Sequence, residues 1–107
     1  MKLDLAIASL VLAGAAACSS SSSPRTHEVA IRNMQFVPAD LTVSVGDTIV
    51  WTNEDLVPHT VTSKPPGTFD STQLDSHAQW RYVVTAAGAF PYVCTYHPTM
   101  HGTITAR

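Results

Sequence analysis

From residue 26 onward, apolar and polar residues exchange places with a period of two. Val29 and Ile31 set the rhythm within 27–33, Leu41, Val43 and Val45 within 41–45, and Trp80, Tyr82 and Val84 within 79–85. Side chains on a strand point alternately to opposite faces, so each run reads as a strand with one buried face. Residues 48–52 follow the turn signal Gly46-Asp47 and carry Ile49, Val50 and Trp51, which predicts a strand inside the sheet. A short strand is expected over 59–62, after Pro58. The loop over 63–77 is rich in Ser, Thr, Pro and Asp, with Pro65-Pro66-Gly67 as a breaker. Ala87-Gly88 turns the chain into a strand over 89–94, and 102–106 supplies the last one. No stretch after residue 26 sustains a helical period. The pattern predicts an all-β domain, a sandwich or barrel with Greek-key connections.

The first residues follow a different pattern. Lys2 precedes an uncharged apolar run over 5–17 that ends Ala15-Ala16-Ala17-Cys18. The run suits the apolar region of a secretory signal, and it is short for a span of about 20 residues. The segment Ala15-Ala16-Ala17-Cys18 resembles a bacterial lipoprotein processing site, with Cys18 as the lipidated first residue. Plain secretory cleavage nearby is the alternative. Ser19 to Ser23 and Pro24 then read as a flexible tether. The expected organisation is a signal peptide over 1–17, a tether over 18–25 and one domain over 26–107. One acylated terminus would hold that domain at a membrane surface without spanning it.

The domain has about 80 residues, enough for a single thin core. The chain's net charge is −2, and losing Lys2 and Asp4 with the signal leaves it unchanged. No basic cluster exists, which sets nucleic acid aside as a partner. Only two cysteines are present, Cys18 and Cys94. With Trp51 and Tyr92 they loosely mimic an immunoglobulin domain, but Cys18 stands at the processing point and cannot be a core strand residue. Cys94 is then a lone thiol in an oxidising compartment, where metal binding would protect it.

The residues around Cys94 sharpen that reading. Phe90, Tyr92 and Cys94 share one strand face, so the thiol points inward with the two rings. His97 follows three residues later and Met100 three after that, with Pro98 stiffening the turn between them. His59 lies far upstream in Val57-Pro58-His59-Thr60-Val61, and strand pairing can bring it to the loop. Two imidazoles, a thiolate and a weak axial thioether describe a blue-copper electron-transfer centre. The alternative for Cys94 alone is an inert buried thiol.

The segments Val45-Gly46-Asp47-Thr48-Ile49-Val50-Trp51-Thr52-Asn53, Pro58-His59-Thr60-Val61 and Tyr92-Val93-Cys94-Thr95-Tyr96-His97-Pro98-Thr99-Met100-His101-Gly102 resemble the plastocyanin-like cupredoxins. The short Cys-x-x-His-x-x-Met loop is most similar to amicyanin. The resemblance spans nearly all of 26–107 and implies an eight-stranded Greek-key sandwich binding one type 1 copper ion. By position it implies His59, Cys94 and His97 as strong ligands and Met100 as the axial one. It also implies that Asn53 ties the two ligand-bearing segments together, a role that competes with that of an ordinary turn residue in Asn53-Glu54-Asp55. Thr99 stands where amicyanin-like loops often carry an aromatic residue, so the docking surface for methylamine dehydrogenase does not carry over. His101 is expected to face away from the metal, His27 and His77 to be surface histidines, and Met34 to pack with Phe36.

These features predict a periplasmic or membrane-tethered monomer that carries one electron and meets redox proteins through the exposed edge of His97, ringed by Val57, Pro58 and Pro98. A copper donor or store is the alternative. An enzyme is not expected, because one small domain with this ligand set offers no open position for a substrate.

Overall fold

The computed structural model describes residues 23–107. The expected signal peptide, the lipidation candidate Cys18 and most of the tether lie outside the described residues. Eight strands form two four-stranded sheets, and no helix occurs among the described residues. They are β1 (Thr26–Arg32), β2 (Gln35–Val37), β3 (Asp40–Val43), β4 (Thr48–Asn53), β5 (Thr62–Ser63), β6 (Gln79–Val83), β7 (Gly88–Cys94) and β8 (His97–Ala106). One sheet has the order β2-β1-β4-β6 and the other β3-β8-β7-β5. Pairing is parallel between β1 and β4 and between β3 and β8, and antiparallel elsewhere. The all-β sandwich expected from alternation is the observed architecture.

Alternation sets the core as well. Val29 and Ile31 of β1, Ile49 and Trp51 of β4, and Tyr92 and Cys94 of β7 are all buried in one cluster between the sheets. Aromatic rings fill its centre. Tyr92 meets Phe36 edge-on at 4.7 Å and Trp51 at 5.7 Å, and the Trp51 indole N–H donates to the Tyr92 hydroxyl at 3.3 Å. Such edge-to-face pairs add to the gain from burying each ring. Burial pushes the Tyr92 phenol up to about 12, so it stays neutral.

Three stretches depart from the expectation. The strand expected over 59–62 is reduced to β5 at Thr62–Ser63, with His59 upstream of it in an isolated bridge to Leu74. Residues 33–34 form a two-residue hairpin turn between β1 and β2, with Asn33 at φ 52° and Met34 at φ 60°. Positive φ at both central positions is the type I′ pattern, which matches strand twist. Met34 therefore sits exposed at the turn instead of packing in the core with Phe36. A further departure is β8, which begins at His97 instead of residue 102. Cys94 pairs with His97, yet Val93 pairs with His101. Residues 98–100 thus bulge out of an otherwise continuous ladder, and the connecting loop shrinks to Thr95-Tyr96.

Strand direction gives the sandwich two distinct poles. The end of β4, the end of β7 and the start of β8 meet at one pole. Arg25, Asp47 and Arg107 lie at the other, where the Arg25 amide donates to Asp47 Oδ1 at 2.9 Å.

Candidate metal centre

Each donor reaches the first pole by a different route. Cys94 is the last residue of β7 and is fully buried. His97 returns opposite it after the tight turn and is half-buried. Met100 sits in the bulge, 4% exposed. His59 arrives on the segment linking β4 to β5 and is fully buried, with its backbone N–H and C=O both bonded to Leu74.

The three stronger donors converge. His59 Nδ1 lies 3.6 Å from Cys94 Sγ and His97 Nδ1 lies 3.8 Å from it. All three donor atoms fall within 4.8 Å of one another. A metal at about 2.3 Å from sulfur and about 2.0 Å from nitrogen, with angles of about 120°, requires S···N separations of about 3.7 Å. The observed separations of 3.6 and 3.8 Å would let His59, Cys94 and His97 hold one ion between them. A soft thiolate with two imidazoles and a nearby thioether suits copper in both oxidation states.

Hydrogen bonds around the donors fix their orientation. The Thr60 amide donates to Cys94 Sγ at 3.3 Å and so fixes the position of the sulfur. Thr60 Oγ1 accepts the Thr95 amide at 2.9 Å and lies 3.1 Å from Thr95 Oγ1. Thr60 therefore stitches the His59 segment to the Cys94 loop. Asn53 works on one side of that seam only. Its Nδ2 donates to the carbonyls of Val57 and Leu74 at 2.9 and 3.0 Å, and its Oδ1 accepts the Asp55 amide at 3.0 Å. The link between segments that the resemblance assigned to Asn53 is thus made by Thr60, while Asn53 braces the turn before His59.

A residue that sequence reasoning passed over completes the arrangement. Asp55 Oδ2 lies 2.8 Å from His59 Nε2. Its two oxygens also accept the amides of Asn33 at 2.8 Å and Met34 at 3.0 Å. Burial pushes the Asp55 carboxyl up, but the bonds from Met34, His59 and Asn33 outweigh it and hold the group below the usual carboxylate range. The signal was present as a carboxylate four residues before a histidine, hidden inside a segment that reads as a turn.

The remaining histidines stand apart. His77 and His101 are exposed. His27 is half-buried at the opposite pole, where its Nε2 lies 2.8 Å from Asp47 Oδ2. The segments that carry the donors also expose apolar residues, Leu56 at 88% and Val57 at 43%, with Tyr96 and Pro98 flanking His97 in sequence.

Residues 5–106 match the family model described as a cupredoxin-like domain. Amicyanin-alpha of Methylorubrum extorquens is 30% identical over 96 residues, covering 86% of this chain and 81% of that protein. Amicyanin of Paracoccus versutus is 28% identical over 80 residues, which cover 71% of this chain and 61% of the relative. A solved amicyanin mutant in its Cu(I) form superposes with a TM-score of 0.71 at 28% identity, over 77% of this chain and 82% of that one. The fold, the donor cluster and these similarities together establish that the chain belongs to the cupredoxin-like family, with amicyanins among its relatives.

Proposed function

We propose that this protein is an exported one-electron carrier built on a type 1 copper centre. His59, Cys94 and His97 would hold the copper ion most strongly, and Met100 would add a weaker thioether donor. The observation that carries the reading is the convergence of His59 Nδ1, Cys94 Sγ and His97 Nδ1 within 4.8 Å of one another, with Met100 buried in the same core cluster as Cys94. When bound, the copper ion supplies a Cu(II)/Cu(I) couple that takes up and releases one electron.

The chain's own residues do the rest. Thr60 and Thr95 lock the two ligand segments together, so the donors keep their spacing whichever charge the site holds. Burial of Cys94 keeps water and oxidants from the thiolate. Of the two donor imidazoles only His97 has an exposed side, and the apolar residues Leu56, Val57, Pro58 and Pro98 suit brief docking of a redox protein there. Amicyanin-like cupredoxins are electron carriers and not enzymes, in keeping with a site that leaves no position for substrate. The reading includes a monomer exported to the periplasm or cell surface, held there through Cys18 if that residue is lipidated. Delivery or storage of copper fits less well, because handoff needs an open coordination position and this cluster is closed by buried groups.

The decisive experiment adds Cu(II) to the purified domain. Intense blue absorption should appear, vanish on reduction and be missing from Cys94→Ser. A colourless oxidised complex would sink the proposal.

A further inference from the structure

Two backbone N–H groups and one imidazole nitrogen converge on the Asp55 carboxylate. Oδ1 accepts the Asn33 amide, and Oδ2 takes both the Met34 amide and the His59 ring. A carboxylate is built for such a site because it only accepts. An asparagine of the same shape would turn its NH₂ either toward the Asn33 N–H or toward Met34 and His59. One donor would then face another. The side chain is largely buried and its neighbours fix it from two directions, the β1–β2 turn and the His59 ring.

The consequence falls on His59. An ionised acceptor at Nε2 requires the ring proton there, which leaves the Nδ1 lone pair bare and aimed at the donor cluster. A ring hydrogen-bonded to an anion is also a stronger electron donor through its other nitrogen. Negative charge at this distance favours the more highly charged state of whatever ion Nδ1 holds. Its neighbour Glu54 provides a contrast, since it points to solvent and lies 3.9 Å from Arg32 with about half its side chain exposed.

We infer that Asp55 is a positioning residue that fixes the His59 tautomer and lowers the reduction potential of the site. This rests on the copper reading for its redox half only. The tautomer half concerns the protein without metal.

The test compares wild type, Asp55→Asn and Glu54→Gln, each loaded with copper. Asp55→Asn should keep a blue band and lose about tenfold in its preference for Cu(II) over Cu(I), an upward shift of about 59 mV for one electron. Glu54→Gln removes the same charge from a screened, exposed position and should shift the ratio less than about twofold. Equal potentials in all three proteins, with Asp55→Asn merely less stable, would reduce Asp55 to a brace for the turn and overturn the proposal. Should Asp55→Asn fail to fold, nitrogen NMR of the metal-free wild type decides. A slowly exchanging proton on His59 Nε2 supports the inference, and a proton on Nδ1 refutes it. A colourless wild-type complex would strike the copper reading and leave that NMR result standing.

Discussion

The two histidines of the donor cluster sit 5.3 Å apart, ring centre to ring centre, yet are held in opposite ways. His59 is enclosed. Its backbone is paired to Leu74, its Nε2 is bonded to Asp55, and none of its surface reaches solvent. His97 is half-buried, and among the described residues its only near polar partner is the Cys94 sulfur. One imidazole belongs to the scaffold and the other to the surface. The difference teaches how a small sandwich can combine a fixed geometry with contact to the outside, by giving each task to a different ligand.

The firmness of the His97 side comes from below, where Gly102 sits. A Cβ added there would fall 2.5 Å from the Tyr92 ring and 2.8 Å from the Ala39 carbonyl. Tyr92 is fully buried and the carbonyl is backbone, so neither yields easily. Gly102→Ala should therefore cost ~3 kcal/mol in denaturant unfolding, as overpacking does. A loss under ~1 kcal/mol would mean that β8 slides freely and that its ligands are not fixed from beneath.

The contrast itself is tested by removing each ring. His59→Gly leaves a cavity and orphans Asp55, and should lower the stability of the metal-free domain by ~2 kcal/mol. His97→Gly should cost ~0.5 kcal/mol or less, as at ordinary surface positions. Added imidazole should restore blue colour to copper-loaded His97→Gly and not to His59→Gly. Equal rescue of both variants would erase the distinction.

The far pole gives the smallest effect. Asp47 accepts the amides of Arg25 and Ser44 and the ring of His27, and these bonds hold its carboxyl down from 3.8 to about 2. Between those values the unfolded chain binds more protons than the folded one, so stability falls as acid is added through that window. In Asp47→Asn the fall should be shallower, with the remainder due to Asp55 and other carboxylates. Denaturant midpoints measured from pH 5 down to about 2 check this, and an unchanged slope would remove Asp47 from the account.

Much of this was legible in the chain. Alternation gave the strands because one face of each sheet is buried. Cys94, His97 and Met100 stand close enough in sequence for the donor set to be visible, and parity with Phe90 and Tyr92 pointed the thiol inward. What escaped depends on contacts between distant segments. The three-residue strand β2 is too short to show a period, and Met34 looked like core until the turn placed it outside. Thr60 read only as part of a short strand and Asp55 as a turn residue, because their partners, Thr95 and the Asn33-Met34 turn, are 35 and 21 to 22 positions away.

The direction of β1 has a mechanical outcome. It starts at Thr26 beside Thr48 and runs toward the ligand end, finishing level with Asn53. Any upstream mooring therefore pulls on the blunt base of the sandwich and leaves the business end facing away, as a buoy's lamp stands clear of its chain. Lengthening such a mooring would widen the zone the domain can sweep.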